Sequence, residues 1–297
     1  MSARAKLAVV FGGPTDYERS CASAAAVVAH LDRRRFAVTP IRVTPHGSWV
    51  IGRELPAGQA PDVDGLLHAT RDELSWSGLS AVDNLAAGIS AVSTCHVVFP
   101  LIHGPHGDGG TLPALLGMVG LPYVGNGVLP GAAGTDRDHT RRLLTGAGLA
   151  VADDPVTAGR RIVTAVLQYP DGRLVAGPPL ASGPDGIAQA ELDPAVVATV
   201  RALAIQAFRA LGCTGLLQVD FVLSPGPAGV APAVGAVDVL PELTTLSRFP
   251  SVWRAAGIGY SELLTTLVET GLATVRSSHA ARVGLPGAVH APDELHP

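Results

Sequence analysis

The sequence predicts an α/β protein in which an open parallel sheet comes first and an antiparallel sheet comes last. The run LAVVF at residues 7–11 is apolar throughout and is closed by Gly12 and Gly13, which is typical of a buried parallel strand before a tight turn. An apolar helical stretch follows at 20–35, with arginines in its expected last turn, and a second strand, loop and helix unit spans 96–120. Repeated units of this kind build open α/β sheets.

The pattern changes in the second half of the chain, where β-rich runs follow one another. The segment RIVTAVLQYPDGRLVAG has two such runs around the turn residues PDG and predicts a hairpin. Residues 178–190 are expected to form a loop, and the runs LLQVDFVLS and APAVGAVDVLP predict an antiparallel pair. Further helices are expected near 135–147, 194–211 and 261–275, followed by a mobile tail.

Polar residues alternate with apolar ones on the first strand of that last pair. Its apolar face should carry Leu217, Val219, Phe221 and Leu223. Gln218 and Asp220 then share the other face, because successive side chains of a strand point to opposite sides. On the next strand, Asp238 is expected to face Asp220.

Charge and composition exclude several classes of protein. The net charge is −4, the pI is about 6.2 and the arginines are spread thinly, so no basic face for a nucleic acid is expected. Three scattered cysteines without CxxC spacing argue against a disulfide framework and a zinc site, and they favour a reducing compartment. No apolar run approaches the ~20 residues of a membrane span. We therefore expect a cytoplasmic protein without membrane or nucleic-acid partners.

Four segments carry a resemblance to a known family. They are VVFGGPTDYERSCASAAAV, VFPLIHGPHGDGGTLPALLGMVGLPYVGNGVLPGAAGTDRDHTRRLLTGAGL, ALGCTGLLQVDFVLS and VDVLPELTTLSRFPSVWRAAGIGYSELL. In order and spacing, over residues 6–150 and 205–272, they resemble the D-alanine–D-alanine ligases of the ATP-grasp superfamily. The resemblance implies a truncated ATP-grasp fold. It would have an N-terminal open α/β domain at 1–131, a reduced central lobe at 132–190 and a C-terminal α+β domain with an antiparallel sheet at 191–297.

The resemblance implies ATP-dependent ligation, but the nucleotide-binding residues match poorly. The family grips ATP with two lysines, and Arg137 replaces one of them. Lys6 is the single lysine of the sequence and belongs to the first strand, so the second lysine has no counterpart. The stretch between Val151 and Arg161 is also much shorter than the central lobe of the family. We therefore expect no ATP cofactor.

The metal-binding residues that the resemblance implies are also incomplete in this chain. The family has R-x-D on one strand and E-x-N on the next, and these residues hold two magnesium ions and brace the developing charge. At the same positions this chain has Gln218-x-Asp220 and Ala236-x-Asp238. Two carboxylates could hold one magnesium ion at most, at Asp220 and Asp238, and we expect no bound metal.

The amino-acid side of the family pattern is better kept. Asp16 or Glu18 lies where the family has a glutamate that holds the ammonium group of the first substrate, and both alternatives stay open. His103 matches the histidine of the family's HG loop, and Ser247 matches the serine that binds the carboxylate of the second substrate. The catalytic candidates are Asp16, Glu18, His103 and Asp220, and the substrate-binding candidates are Ser20, Gly104, Asp238 and Ser247.

Three functions are compatible with this pattern. The first is an enzyme of specialised metabolism on the ligase scaffold, which acts without ATP on an amino-acid-like or peptide-like molecule. The second is a catalytically silent binding or partner subunit, and the third is a minimal ATP-dependent ligase. The family likeness and the very apolar helix SAAAVVAHL further predict a symmetric homodimer formed through the N-terminal domain.

Overall fold

The computed structural model describes residues 4–57, 80–104, 106–152, 159–183, 186–226 and 229–283. The tail after residue 283, which the sequence predicts to be mobile, lies outside these ranges. Within them, the strands form two sheets, one in each half of the chain. No helix there combines the length and the apolar character that a membrane crossing requires.

The first sheet is the open α/β sheet that the sequence predicts. Its strands are β1 (Ala5–Gly12), β2 (Phe36–Val43), β3 (Trp49–Ile51) and β4 (Val97–Pro100), in the order β3-β2-β1-β4. β1 is parallel to β2 and to β4, whereas β3 runs antiparallel at the edge. The helices of this half are α1 (Tyr17–His30), α2 (Ala81–Val92), α3 (Thr111–Met118) and α4 (Val128–Thr135).

Two predicted helices have different bounds in the structure. Helix α1 ends at His30, so the arginines at 33–35 follow the helix instead of forming its last turn. The helix predicted near 135–147 is interrupted at Asp136, where α4 ends and α5 (Arg137–Gly146) begins. The Asp136 carboxylate accepts a hydrogen bond of 2.8 Å from the backbone N–H of His139, and such a cap favours a new helix start at this residue.

The second sheet is antiparallel throughout its paired strands. Its strands are β5 (Arg160–Gln168), β6 (Leu174–Ala176), β7 (Leu180–Gly183), β8 (Gly186–Gln189), β9 (Leu216–Gly226) and β10 (Gly229–Asp238). They follow the order β10-β9-β5-β7-β8, with β6 paired to β5. The predicted hairpin of β5 with β6 and the predicted pair of β9 with β10 are confirmed. The remaining helices are α6 (Pro194–Ala210), α7 (Arg248–Ala255) and α8 (Tyr260–Val283).

The expectation of a loop over 178–190 was wrong. This segment forms the short strands β7 and β8, which pair as a hairpin at one edge of the second sheet. Their sequence is rich in glycine, serine and alanine, so it lacks the β-branched alternation by which strands are recognised. The strands of 160–189 thus share one sheet with those of 216–238. The division of the chain at residue 190 stays a prediction.

Both faces of the second sheet are covered, and this places the site. One face carries the predicted set Leu217, Val219, Phe221 and Leu223 and packs against α6 through Phe208. The opposite face packs against Trp253 and Phe249 of α7 and continues into a core shared with β1 and α1. Arg19, shortly after β1, lies 3.4 Å from Asp238 at the end of β10, so the carboxyl end of β1 lies near this end of the pair of β9 and β10.

Asn126 fixes the first half of the chain to the second sheet. Its buried side-chain amide donates to the carbonyl oxygens of Leu216 and Val239, at 2.8 and 2.7 Å. Its Oδ1 accepts a hydrogen bond of 2.9 Å from the backbone N–H of Thr214. One side chain thus satisfies three backbone groups of the second half of the chain.

The apolar helix α1 is covered within the chain itself. Ala24, Val27 and Val28 are fully buried in the core that joins the two sheets. At the end of α1 the His30 ring packs edge-on against Tyr260 of α8, with ring centroids 5.1 Å apart. Its apolar face therefore does not require a second copy of the chain, and the homodimer stays a prediction.

Candidate functional site

The strand ends of the first sheet are held together by Ser20. Its Oγ accepts a hydrogen bond of 2.7 Å from the backbone N–H of Gly12 and donates one of 2.6 Å to the carbonyl oxygen of Leu101. Ser20 is fully buried. The sequence analysis named it as a substrate-binding candidate, whereas in the structure its hydroxyl links the ends of β1 and β4.

Asp16 lies at the mouth of these strand ends in a left-handed backbone conformation, with φ of 48°. It is exposed, and its side chain does not cap α1, although it occupies the N-cap position. The charge of Asp16 acts to raise the pKa of His103, whereas the charge of Glu18 acts to raise the pKa of Cys21. Of the two candidates left open by the sequence, Asp16 is the one whose charge influences the pKa of His103.

His103 is buried completely, and neither ring nitrogen has a hydrogen-bond partner within the described part of the chain. Burial lowers the pKa of this imidazole to about 4, and the positive charge of Arg19 acts in the same direction. The ring is therefore neutral at pH 7. Its neighbour Gly104 has φ of +83° and lies so close to Thr15 that a Cβ would approach the Thr15 hydroxyl to 2.1 Å.

The carboxylates at the ends of β9 and β10 are each paired with an arginine. Arg19 Nη2 lies 3.4 Å from Asp238 Oδ2, and Arg248 Nη1 lies 3.2 Å from Asp220 Oδ2. Burial raises the pKa of both carboxyls, and the arginine beside each one opposes that shift. Both arginines were missed in the sequence analysis, although Arg19 lies one helical turn beyond Asp16 and Arg248 directly follows Ser247.

The expectation that Asp238 faces Asp220 was wrong. The register pairs Asp220 with Ala236 and Asp238 with Gln218, so the two carboxylates are diagonal neighbours on one face. The register of a hairpin depends on the geometry of its turn, and the alternation of residue types on each strand does not supply it. A bulge between Val234 and Ala236 shifts the register further.

Asp108 is a third acidic group of the site that the sequence analysis did not single out. Its Oδ1 is buried without a hydrogen-bond partner in the described structure, and the backbone N–H groups of Gly104 and Gly109 act to lower its pKa. Burial raises its pKa, and the nearby charge of Asp238 raises it further. Its signal in the sequence was its place in the segment PHGDGG, which begins two residues after His103.

Ser247 lies at the start of α7 and is turned towards its own loop. Its Oγ is 2.5 Å from the carbonyl oxygen of Glu242 and 2.8 Å from that of Thr244. The hydroxyl proton is therefore shared between two backbone carbonyls. Only a lone pair of the Ser247 oxygen is left to accept a hydrogen bond from a ligand.

The donor set does not fit the two magnesium ions of an ATP-grasp site. Asp220 and Asp238 already face guanidinium groups, and alanine stands at position 236 where the family has a glutamate. Across the described residues, no three His, Cys, Asp or Glu side chains are grouped so that they could hold a metal ion. Two neutralised carboxylates are a poor match for a small cation that requires several oxygen ligands.

Two cavities lie beside this site. One of about 280 Å³ lies between α5 and β10 and includes Arg137 and Arg141 in its wall. A second of about 150 Å³ adjoins it at Gly235 and Ala236.

The fold is that of the ATP-grasp ligases. The structure superposes on the D-alanine–D-alanine ligase of Coxiella burnetii with a TM-score of 0.77, at 21% sequence identity, over 95% of this chain and 98% of that one. The D-alanine–D-alanine ligase of Bacillus anthracis, solved in complex with ATP, gives a TM-score of 0.68 at 17% identity over 92% of this chain and 99% of that one.

Sequence comparison gives the family within that class. The family model of the D-Ala–D-Ala ligase N-terminus matches residues 6–126, and that of the C-terminus matches 184–269. The D-alanine–D-alanine ligase of Mycolicibacterium vanbaalenii is 33% identical, with 92% of this chain and 98% of the relative covered. That of Nocardia farcinica is 32% identical over the same shares. The chain belongs to the D-alanine–D-alanine ligase family.

The alignments also show that the chain is shorter than these relatives. The alignment with the Mycolicibacterium ligase extends over 372 positions, which exceeds the 297 residues of the whole chain. Between residues 126 and 184 neither family model matches. This interval includes the stretch between Val151 and Arg161, where the sequence predicts that the central lobe at 132–190 is shortened.

Proposed function

We propose that this member of the ligase family binds an amino-acid-like or peptide-like molecule at the boundary of its two sheets and acts on it without magnesium and ATP. The observation that carries the proposal is the pairing of Asp238 with Arg19 and of Asp220 with Arg248. Guanidinium groups of the chain provide the positive charge that magnesium ions would supply in an ATP-grasp site. The carboxylates are thereby neutralised without a metal.

The available chemistry is acid–base chemistry. Without a phosphoryl donor, a free carboxylate cannot be activated for amide formation, so the reaction must start from a bond that is already reactive or from proton transfer alone. Asp16 is exposed at the entrance of the site, and Asp220 has a raised pKa because it is buried. His103 contributes as a neutral ring at pH 7, and its pKa is influenced by the charge of Asp16, whereas the charge of Glu18 raises the pKa of Cys21.

A catalytically silent binding subunit is the second candidate function. The complete burial of His103 favours it, because a ring that no ligand reaches cannot transfer a proton to one. Chiral chromatography coupled to mass spectrometry, applied to each candidate ligand after incubation with the protein, separates the two functions, because it also detects an isomer or epimer of unchanged mass. A changed ligand supports the enzyme, and an unchanged, bound ligand supports the binding subunit.

The first expected result is that the protein does not bind magnesium and ATP usefully. Titration of ATP with magnesium into the protein in a calorimeter should give no saturable heat with a dissociation constant below about 100 µM, which corresponds to roughly −5.5 kcal/mol. The physical reason is the missing phosphate-binding lysines together with the small cavity at Arg137.

A complete ligase such as that of Mycolicibacterium vanbaalenii serves as the positive control in the same buffer. The decisive companion measurement is release of inorganic phosphate in the presence of ATP, magnesium and D-alanine. Stoichiometric phosphate release with formation of a dipeptide would show that the chain is a minimal ATP-dependent ligase instead.

The second expected result concerns Asp16 and Glu18. Asp16→Asn keeps the side-chain size and tolerates the left-handed backbone, but it removes the charge at the mouth of the site. It should weaken ligand binding or turnover about tenfold, near 1.4 kcal/mol, while Glu18→Gln changes it less than twofold. Thermal melting of both variants should stay within a few degrees of wild type. The opposite ranking would assign the family glutamate's role to Glu18.

A further inference from the structure

A cavity at the edge of the second sheet lies outside the candidate site. It has a volume of about 470 Å³, and its wall is formed by the segment before β7, the strand β8, the beginning of α6 and the end of α7. None of the catalytic or substrate-binding candidates belongs to this wall. The cavity therefore requires an explanation of its own.

Two adjacent prolines interrupt the sheet beside this cavity. Pro178 and Pro179 separate β6, which ends at Ala176, from β7, which begins at Leu180. Proline has no backbone N–H to donate, so the ladder of hydrogen bonds is broken along this stretch. The pairing of β8 with β7 ends at Leu180 and Gln189, and β8 is the last strand in the order of the sheet. The space beside the prolines is thus left without a paired strand.

Most of the cavity wall is apolar. Pro179 and Leu180 are buried, and Ile187 of β8 and Val197 of α6 are half-buried. Apolar surface of this kind gains free energy when a ligand removes it from water. Among the described residues of the wall there is no aspartate or glutamate, so an ammonium group finds no carboxylate partner there.

Arg254, near the end of α7, gives the wall a positive charge. Its Nη1 donates to the carbonyl oxygen of Thr245 and its Nη2 to Ser251 Oγ, both at 3.1 Å. These two bonds hold the guanidinium in place and use only two of its five N–H donors. No ion pair among the described residues involves Arg254, and the residue is exposed. Its remaining donors are therefore accessible to an anion from solvent.

We propose that this cavity binds a small monocarboxylate with an apolar body, such as an arylalkanoate. The carboxylate lies on Arg254, because a guanidinium binds this group with its planar N–H donors. The apolar body packs against the prolines, Ile187 and Val197. The inference goes beyond the proposed function, since it concerns a different cavity and a ligand without an ammonium group.

The test is a nuclear magnetic resonance titration of the full chain, followed at the backbone amides of 187–190 and 251–255. Three probes are compared. Hydrocinnamate has the carboxylate and the apolar body, hydrocinnamyl alcohol lacks the charge, and phenylalanine adds an ammonium group. Wild type should bind hydrocinnamate at least about tenfold more tightly than either of the others. Equal binding of hydrocinnamate and either other probe would overturn the inference.

A charge variant locates the carboxylate. Arg254→Gln should weaken hydrocinnamate about tenfold and leave the binding of the alcohol unchanged, a split that a general disturbance of the cavity would not give. Arg209→Gln is the matched control, because Arg209 is an exposed arginine of α6 that lies outside the wall. It should bind hydrocinnamate as wild type does. An equal loss in both variants would contradict the assignment, since the effect would then follow overall charge.

A second variant locates the apolar body without removing the bond from Arg254 to the loop at Thr245. Ala255→Trp adds a large side chain to the wall at an exposed position of α7, and it should abolish saturable binding of hydrocinnamate and of the alcohol. Ala256→Trp is its control, because Ala256 is the next residue, is exposed and does not line the cavity. Unchanged binding by Ala255→Trp, or the same loss in Ala256→Trp, would place the probe elsewhere and refute the inference.

Discussion

Replacing Asn126 with alanine is expected to destabilise the protein by about 3–6 kcal/mol, which is a large part of the stability of an ordinary domain. The side chain satisfies the carbonyl oxygens of Leu216 and Val239 and the backbone N–H of Thr214, and it is buried. Alanine leaves all three groups without a partner. Each such buried group costs roughly 1–3 kcal/mol, because it loses water without gaining a bond. Chemical denaturation measured by circular dichroism gives the free energy of unfolding.

The matched control is Asn84→Ala. Asn84 is also buried, but it bonds only to the backbone of Trp49, on the edge strand β3, with one bond of 2.7 Å and a longer one of 3.4 Å. Its loss should cost roughly half as much. If Asn84→Ala proved as damaging as Asn126→Ala, the attachment of the first half to the second sheet would not be the stabilising feature.

Much of the fold could be predicted from the sequence because its strongest signals are local. The apolar run that forms β1 and the alternation from Leu217 to Leu223 predict which residues are buried. Their period and composition determine which face of each strand is covered. The strands β7 and β8 could not be predicted in this way. They are short, carry glycine and serine, and form because β5 offers a partner, which is a tertiary effect.

The site was predicted less well than the fold. Asp16, His103, Asp220 and Asp238 do come together, since Asp16 acts on His103 and Asp238 acts on Asp220. Ser20 does not face a ligand, because two backbone groups use its hydroxyl. Whether a hydroxyl is available depends on the atoms around it, and its position in a motif does not reveal that.

The two arginines of the site, Arg19 and Arg248, also could not be identified as site residues from the sequence. An arginine on a helix is normally a solvated side chain, so neither Arg19 nor Arg248 stands out in the sequence. These arginines belong to the site because each pairs with a carboxylate that is distant in sequence, 219 residues away for Arg19 and 28 residues away for Arg248. Charge pairing of this range is a property of the packed molecule.

Acidification is expected to destabilise the protein through His103 by about 3 kcal/mol between pH 7 and pH 4. The folded ring has a pKa of about 4, whereas a free imidazole in the unfolded chain protonates near 6.5. Between these values the unfolded state binds more protons than the folded state, so stability falls as the pH falls. The contribution is complete above pH 6.5 and is lost as the pH approaches 4.

The variant His103→Leu isolates this contribution. Other groups act in the opposite direction, because burial raises the pKa values of Asp108, Asp220 and Asp238 and their protonation favours the folded state. The quantity to measure is therefore the difference between wild type and variant in urea denaturation at pH 7 and at pH 4. Wild type should lose about 3 kcal/mol more than His103→Leu over this interval.

The exposed residue His106, three positions further along the same loop, provides the control. His106→Leu should leave the pH dependence of wild type unchanged, because the His106 side chain is exposed to water in the folded protein. Leucine is tolerated at position 103 because neither ring nitrogen of the histidine has a partner to lose in the described structure. An identical loss of stability in wild type and His103→Leu would show that the ring reaches water in the folded protein. His103 would then be free to exchange protons with a bound ligand, as the catalytic interpretation of this residue requires.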